Sequence, residues 1–184
     1  MMLKYIRKRK ERDMNKDFTR SLTIVSLFAA LMAVSALIYI PFAVPITLQT
    51  LVLFLSLFTV GGKKTTLATA VYILLGAIGL PVFSGFSGGI GRLFDATGGY
   101  IFGMLAGALA YWLMEKLPDT KIFTAVKTAS VILTVYLVGT IWYAILYIGS
   151  FGYILTVCVL PFVIPDAIKI YLAYLISKRI RLSI

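Results

Sequence analysis

Six long apolar segments divide this sequence and limit what it can fold into more than any other feature. About 20 apolar residues form a helix long enough to cross the hydrocarbon core of a bilayer. Six such segments with short connections predict an all-α integral membrane protein built as a bundle of six transmembrane helices. The second and third segments are short, so we expect one or both to be tilted, broken or partly re-entrant. The segments are 21–40, 46–61, 65–83, 97–115, 127–149 and 153–177.

The composition excludes several other classes of protein. Of the 184 residues, 60% are hydrophobic and 14% are charged, and the mean hydropathy is +0.97. Soluble domains are closer to half apolar and a quarter charged, so an ordinary cytosolic enzyme and a disordered chain are excluded. The single cysteine, Cys158, has no partner for an intrachain disulfide, and the absence of histidine excludes His-based catalysis and His metal sites.

The basic residues are distributed in a way that predicts the orientation in the membrane. The formal net charge is +11, and eight of the 18 Lys and Arg residues fall within residues 1–20. With a cytoplasmic N-terminus, all 16 clustered basic residues face the cytoplasm, in agreement with the positive-inside rule. We therefore predict a multi-pass protein of the cell membrane with both termini in the cytoplasm. The clustered residues after position 20 are Lys63, Lys64, Lys116, Lys121, Lys127, Lys178, Arg179 and Arg181.

The same distribution divides the chain into two parts. Residues 1–20 form a basic cytoplasmic N-terminal segment, and residues 21–184 form the six-helix membrane-embedded domain. Basic residues beside a membrane attract anionic lipid. We favour this role in the lipid bilayer over contact with nucleic acid or attachment to a partner, and we predict no nucleic-acid ligand.

The connection after the third segment is unusual for an exposed loop. It runs over 83–95, is rich in glycine and apolar residues, and contains one basic residue, Arg92. A solvated loop would carry more charge. Because glycine allows tight turns and close backbone approach, we expect this loop to fold back over the protein and to line or cover a pocket.

Asp166 and Lys169 are two charged residues inside the last apolar segment. Their i, i+3 spacing places both side chains on one face of a helix. Pro165 suits the first turn of a helix, so we expect the regular part of the last helix to begin there, with the carboxylate at its positive end. The pair is either a structural ion pair that caps the helix or a polar site for a ligand at the outer mouth. We favour the ligand because a charge inside a membrane segment is costly.

The connection between the first two segments combines prolines with polar residues. Pro41 and Pro45 interrupt the chain, and Thr47, Gln49 and Thr50 follow. One interpretation is a turn followed by a helix N-cap. The other is a lid or pocket wall with hydrogen-bonding side chains, and the sequence leaves both open.

Two stripes of small residues predict close helix packing. Gly99, Gly103 and Gly107 repeat at four-residue spacing, which we interpret as packing between helices of this chain. Ala29 and Ala33 have the same spacing on the first helix. That stripe either packs within the chain or offers a smooth face to another membrane protein.

The residues needed for common enzyme chemistry are missing. The run Gly62-Lys63-Lys64-Thr65 is not a phosphate-binding loop, because the upstream glycine is missing and Lys64 stands where Ser or Thr should follow. No Ser, Cys or carboxylate pair has a plausible base, and seven acidic residues are too few and too scattered for a metal cage. We predict no enzyme activity, no metal and no cofactor.

Four stretches resemble the BioY family, the biotin-binding, substrate-specific components of energy-coupling factor transporters. The resemblance implies a six-helix substrate-binding domain with a ligand pocket near the outer face, and high-affinity capture of biotin. It also implies docking through the first helix, at Ala29 and Ala33, onto a transmembrane coupling protein. Two cytoplasmic ATPase subunits on separate chains would then use ATP to drive release. The four stretches are 45–50, 72–85, 97–103 and 165–169.

The resemblance also implies a set of residues that bind biotin. Asp166 would accept a hydrogen bond from a ureido N–H, and Lys169 or Arg92 would bind the carboxylate or the ureido oxygen. A mostly apolar pocket with a few placed polar groups suits this ligand. The expected wall and hydrogen-bonding residues are Gln49, Phe83, Ser84 and Tyr100.

Three alternatives remain beside biotin uptake. The same fold could bind another vitamin, such as thiamin or a precursor. The chain could be a membrane assembly protein without a ligand, in which Asp166 and Lys169 form only a structural ion pair. An intramembrane enzyme is disfavoured because no credible nucleophile or metal set is present.

Overall fold

The computed structural model describes residues 2–118, 120–147 and 149–180, and it describes side chains from residue 15 onward except at residue 151. The basic side chains before residue 15 and the whole of Arg181, all part of the predicted basic clusters, lie outside these limits. The elements are α1 (Met2–Leu37), β1 (Tyr39–Ile40), β2 (Ile46–Thr47), α2 (Gln49–Val60), α3 (Gly62–Ala77), α4 (Ile90–Leu93), α5 (Gly98–Leu113), a 3-10 turn (Met114–Lys116), α6 (Lys121–Leu146), α7 (Phe151–Cys158) and α8 (Leu160–Arg179).

The fold is helical, as the sequence predicts, but the count of six helices is not confirmed. The described residues form seven helices of eight residues or more, together with the single turn α4. The extra helix arises because the last predicted segment is divided into α7 and α8 at Val159, whose ψ is −56° and φ −122°. Pro161 follows at the start of α8 and lacks the N–H that a continuous helix would bond to the carbonyl of Val157, so the break falls where the sequence resists a continuous helix.

Three helical stretches of the described chain are long and apolar enough to span a membrane: Asn15–Leu37, Lys121–Leu146 and Gly152–Arg179, the last of which runs across the break between α7 and α8. In contrast, α2 has 12 residues and α3 has 16, which correspond to lengths of about 18 and 24 Å. Both are shorter than a hydrocarbon core of about 30 Å. The helices formed by the second and third segments are thus short, and the expectation that one or both are tilted, broken or partly re-entrant stays a prediction.

The glycine stripe of α5 lies against α6, which confirms packing within the chain. A Cβ atom added at Gly103 would lie 3.0 Å from the backbone of Val135, and one added at Gly107 would lie 3.0 Å from a methyl group of Val131. A Cβ atom at Gly99 would overlap the side chain of Trp142. The two helices approach closely because these positions carry no side chain.

The alanine stripe of α1 also packs within the chain. Ala29 is 1% exposed and belongs to the main core, and Ala33 is partly buried against the same core. Ala29 therefore packs within the chain, and docking of a partner at Ala29 and Ala33 stays a prediction. The exposed face of α1 carries Leu27, Leu31 and Val34 instead.

The helices form a ring that is closed differently at its two ends. α2 packs on α8, α5 packs on α6, and α3 lies between α1 and α5. The short helix α7 contacts both α6 and α8. A second, smaller core cluster lies at α7 and joins it to the β1–β2 hairpin through Ile46, Ile154 and Phe162. The hairpin and α7 thus cover the same end of the ring.

Candidate functional site

A buried carboxylate joins three helices at this covered end. Asp166 of α8 is 2% exposed, and its two oxygens accept three hydrogen bonds. Thr50 of α2 donates from Oγ1 to Oδ1 at 2.8 Å, Tyr136 of α6 donates from its hydroxyl to Oδ2 at 2.9 Å, and Lys169 donates from Nζ to Oδ1 at 2.9 Å. Lys169 also donates to Thr50 Oγ1 at 3.2 Å. A charge removed from water is tolerated only with such partners, so the cluster compensates its own burial.

The position of Asp166 in its helix differs from the expectation. α8 begins at Leu160 rather than at Pro165, and Pro165 lies inside the helix. Asp166 is therefore not at the positive helix end, and the predicted interaction with that end is wrong. Pro161 occupies the first turn, where proline is best tolerated, and the helix accepts Pro165 one turn later. The prediction that Asp166 and Lys169 share one face is confirmed by their 2.9 Å ion pair.

A second polar chain runs from the start of α2 to α3. Thr47 donates to Gln49 Oε1 at 2.9 Å, and Gln49 donates from Nε2 to the hydroxyl of Tyr72 at 2.6 Å. Tyr72 is fully buried and donates to the carbonyl of Val82 at 3.3 Å. The backbone N–H of Gln49 also contacts Thr47 Oγ1 at 3.3 Å. Thr47 therefore accepts from the first N–H of α2 and also belongs to a polar wall, although the N-cap residue Leu48 has no side-chain cap.

A small cavity lies between these two polar groups. Its volume is about 50 Å³, which is room for a few water molecules and far below the roughly 300–1,000 Å³ of common small-molecule sites. Five of the seven residues predicted to bind a ligand line it: Gln49, Ser84, Tyr100, Asp166 and Lys169. Its apolar lining comprises Val44, Pro45, Ile101, Met104, Val135 and Phe162.

Phe83 lies behind the wall of this cavity rather than on it. Its side chain is 2% exposed and contacts the ring of Tyr72 edge to face, with 5.6 Å between ring centroids. A Cβ atom on Gly76 would overlap the Phe83 ring, so glycine is required there for the ring to fit. Phe83 therefore positions Tyr72, and a direct contact with a ligand stays a prediction.

Arg92 also lies outside the cavity lining. Its side chain is 38% exposed and pairs with Asp95 at 2.6 Å, and its Nε donates to Ser87 Oγ at 2.8 Å. Ser87 in turn donates to the carbonyl of Ser84, a lining residue, at 2.8 Å. Trp142 of α6 donates to the Asp95 carbonyl at 3.1 Å, which ties the loop to the bundle. Arg92 thus reaches the cavity through two serines, and its predicted contact with a ligand is untested.

Sequence reasoning missed three aromatic residues of the site. Tyr72 and Tyr136 hold Gln49 and Asp166, and Phe162 stacks on Tyr100 with 5.7 Å between ring centroids. Each lies in a long apolar run, where a tyrosine resembles another core residue. For the two tyrosines the available signal was the hydroxyl group, because a buried tyrosine needs a hydrogen-bond partner, whereas Phe162 offers no such signal.

The break between α7 and α8 contributes to the site as well. In a continuous helix, the carbonyl of Cys158 would accept from the N–H four residues later. At the break it accepts instead from the hydroxyl of Tyr100, at 2.7 Å. This bond fixes the Tyr100 ring against Phe162 and turns its face to the cavity wall.

The arrangement has the chemistry of a binding site. It offers an acceptor carboxylate, a cation, an amide and several hydroxyl groups, all beside aromatic and aliphatic walls. Among the described residues, no group of three His, Cys, Asp or Glu side chains could hold a metal ion. A small molecule with polar groups on an apolar frame suits this lining.

Comparison with known proteins gives the same family over nearly the whole chain. A model described as the BioY family matches residues 7–184. The chain is 37% identical over 163 residues to the biotin transporter BioY of Thermotoga maritima, which covers 88% of this chain and 96% of that protein. It is 35% identical over 163 residues to the probable biotin transporter BioY of Pyrococcus horikoshii, with the same two coverages.

The fold of this chain is similar to that of a solved structure. It matches the crystal structure of the S-component for biotin from an ECF-type ABC transporter, with a TM-score of 0.77 and 25% sequence identity. The match covers 91% of this chain and 93% of that chain. The resemblance that the sequence motifs indicate is therefore confirmed.

Proposed function

Because the chain belongs to the BioY family, we propose that it captures biotin and supports its uptake as the substrate-specific component of an energy-coupling factor transporter. The observation that carries this proposal is the buried Asp166, held by side chains from α2, α6 and α8 beside a lined cavity. Ionisable residues inside membrane segments typically mark ligand or ion sites, which supports a ligand-binding role for this carboxylate.

The polar groups of the site match the ureido group of biotin in number and kind. A carboxylate has about four lone-pair positions, and three of those on Asp166 are occupied, so one remains for a ureido N–H. Lys169 has three N–H donors and uses two, so one remains for the ureido oxygen or the biotin carboxylate. Gln49 and Ser84 supply further polar contacts at the same cavity.

The apolar part of the cavity suits the bicyclic ring of biotin. The stacked rings of Tyr100 and Phe162 form one wall, and Met104 and Val135 form another. Binding of a thioether ring there would remove apolar surface from water and would leave no polar group without a hydrogen-bond partner. The lining thus divides into a polar part and an apolar part, as biotin does.

The site has to widen before biotin can fill its cavity of about 50 Å³. The loop over 83–89 is the part of the wall with the least regular structure, and Gly85 and Gly89 in it have positive φ angles of 73° and 94°. Phe86 has a φ of 55°, unusual for a residue with a side chain, and its ring is 69% exposed. We expect movement of this loop to open the pocket.

The basic residues of the connections meet at the opposite end of the bundle. Glu115 Oε1 accepts from the N–H of Gly62 at 2.5 Å, so the α2–α3 turn touches the end of α5. Gly61, Lys127 and Ser177 line one cavity there. This clustering supports a cytoplasmic position for that end and for both termini, with the biotin site facing outward.

The remaining machinery belongs to other chains in this proposal. Because the chain has no phosphate-binding loop, ATP is hydrolysed by two separate ATPase subunits, and a transmembrane coupling protein connects them to this chain. With Ala29 buried, the exposed face of α1 at Leu27, Leu31 and Val34 is the surface that we expect the coupling protein to contact.

The test is biotin binding to the purified chain, measured by calorimetry after removal of endogenous ligand. The double variant Asp166→Asn/Lys169→Met removes both charges of the site together. We expect it to lose at least about 150-fold in affinity, since hydrogen bonds to charged groups contribute about 1.5–3 kcal/mol each and two are removed. The matched control is Lys63→Gln/Lys64→Gln, which changes charges at the other end.

The competing functions give different results in the same experiment. Wild-type protein that is folded and binds thiamin but not biotin would place the chain with another vitamin. Folded protein that binds neither biotin nor thiamin would favour the alternative of a membrane assembly protein without a ligand. Equal biotin affinity in the wild type and the double variant would show that Asp166 and Lys169 are not the binding residues.

A further inference from the structure

A second and larger opening lies at the basic end of the bundle. It consists of a polar cavity of about 420 Å³ inside the ring and a groove of about 660 Å³ between α6 and α8. Phe58, Thr124 and Tyr174 line both, so the cavity and the groove are continuous. Measured along α2, this opening lies eight residues, or about 12 Å, from the cavity at Thr50.

The groove exists because α6 and α8 are packed on different neighbours. α6 lies on α5, α8 lies on α2, and α7 bridges the two only at the other end. The groove-facing residues of α6 follow helical spacing and are mostly small: Ala125, Thr128, Ala129 and Ile132. Those of α8 follow the same spacing and begin with another small residue: Ala167, Ile170, Tyr171 and Tyr174.

The charge at this opening is concentrated where the groove begins. Lys121 lines the groove and is exposed, and the ammonium group of Lys178 lies 4.4 Å from the centre of the Tyr174 ring. Lys127 lines the polar cavity and donates to the carbonyl of Leu117 at 3.1 Å. Glu115 of the polar cavity is the acidic residue among those that line the cavity or the groove. Its carboxylate already accepts a hydrogen bond from the Gly62 N–H.

We propose that an anionic phospholipid occupies this opening. Its phosphate lies between Lys121 and Lys178, and an acyl chain lies along the groove between α6 and α8. The chemistry of the site changes along its length as a lipid does, from basic and polar at Lys121, with Lys178 over the ring of the lining residue Tyr174, to apolar at Ile132 and Ala167. Basic pockets between membrane helices are typical sites for anionic headgroups, and a groove that opens toward the bilayer admits an acyl chain directly.

The experiment is native mass spectrometry of the full chain after exchange into detergent with defined lipid. The probes are phosphatidylglycerol and phosphatidylcholine with the same acyl chains, added singly and in competition. Lys121→Gln/Lys178→Gln removes the headgroup charges, and Ala129→Phe fills the groove. The matched control is Lys63→Gln/Lys64→Gln, which removes two lysines from the same end without touching either lining.

One tightly retained phosphatidylglycerol per wild-type chain is the expected result. Each lysine near a membrane surface contributes about fivefold to the attraction of an anionic lipid, so Lys121→Gln/Lys178→Gln should lower the preference for phosphatidylglycerol about 25-fold. Ala129→Phe should reduce retention of both lipids, and the control should match the wild type. Biotin binding, measured in parallel, reports whether each variant is folded.

Three results would overturn the proposal. Equal retention of both lipids by the wild type would show no headgroup site. A loss of preference in the control as large as in Lys121→Gln/Lys178→Gln would show attraction to the whole basic end. Displacement of the lipid by inorganic phosphate alone would show that the acyl chain contributes nothing.

Discussion

The two ends of this bundle use the same helices in opposite ways. At the covered end, α2, α6 and α8 converge on Asp166, and the space between them is about 50 Å³. At the basic end, α6 and α8 are separated by a groove of about 660 Å³. Polar side chains connect the helices at the first end, and mostly small and apolar residues line the groove at the second. In our proposals, biotin binds at the first end and a flexible acyl chain at the second.

The short helix α7 accounts for much of this difference. It contacts both α6 and α8 and joins the hairpin through a small core, so the ring is closed at that end. No comparable element bridges α6 and α8 in the described part of the basic end. Tyr100 depends on the same feature, because its hydroxyl uses the carbonyl that the α7–α8 break leaves free.

The largest expected effect is the loss of stability when one of the two paired charges at the covered end, Asp166 or Lys169, is removed without the other. Asp166→Asn alone leaves Lys169 buried without its carboxylate, which costs about 3–5 kcal/mol, whereas Asp166→Asn/Lys169→Met should return close to wild-type stability. Denaturation by SDS in mixed micelles measures both variants.

Lys121→Gln is the matched single-charge control at the basic end, where the side chain is exposed and the expected change in stability is negligible. If Asp166→Asn is no less stable than the double variant, the two charges are not coupled in the way that the 2.9 Å contact indicates.

A smaller effect is expected from the hydroxyl that α6 supplies to the site. Tyr136→Phe removes one of the three hydrogen bonds to Asp166 and should weaken biotin binding by about 5- to 15-fold, since one net hydrogen bond contributes about 1–1.5 kcal/mol. Tyr147→Phe, beyond the end of α6 and away from the cavity lining, is the control for loss of a hydroxyl. Calorimetry should give an unchanged affinity for that control. An unchanged affinity in Tyr136→Phe would mean that α6 does not help to position the carboxylate.

The smallest effect separates two roles for Arg92. If it positions the loop through Ser87, then Arg92→Gln and Asp95→Asn should weaken biotin binding equally and by no more than about fivefold, because an ion pair exposed to this degree contributes at most about 1 kcal/mol. If Arg92 contacts biotin directly, Arg92→Gln should lose far more than Asp95→Asn. Calorimetry on the two variants distinguishes these results, and lipid retention should be unchanged in both.

Features set by local spacing were predictable from the sequence. The apolar segments predicted a helical membrane protein, and the i, i+3 spacing of Asp166 and Lys169 predicted that they share one helix face, as their ion pair shows. The glycine stripe of α5 predicted close packing because the missing side chains alone determine it. Motifs of the loop and of α8 indicated the family, and five of the seven expected ligand residues meet at one cavity.

Features that depend on how distant helices are rotated were not predictable. The bond from Tyr136 to Asp166 joins residues 30 positions apart, and the bond from Gln49 to Tyr72 joins residues 23 apart. Each requires a particular face of one helix to meet another, which hydrophobic periodicity in a uniformly apolar segment does not specify. For the same reason, the burial of Ala29 and the groove between α6 and α8 became visible only in the assembled fold.

The most direct test of this account is a biotin titration in three proteins of comparable stability: the wild type, Asp166→Asn/Lys169→Met and Lys121→Gln/Lys178→Gln. The account predicts tight binding by the wild type, loss of binding in the variant of the covered end, and wild-type affinity in the variant of the basic end. Tight binding that survives in Asp166→Asn/Lys169→Met, or that is lost in Lys121→Gln/Lys178→Gln alone, would contradict the placement of the biotin site at the covered end.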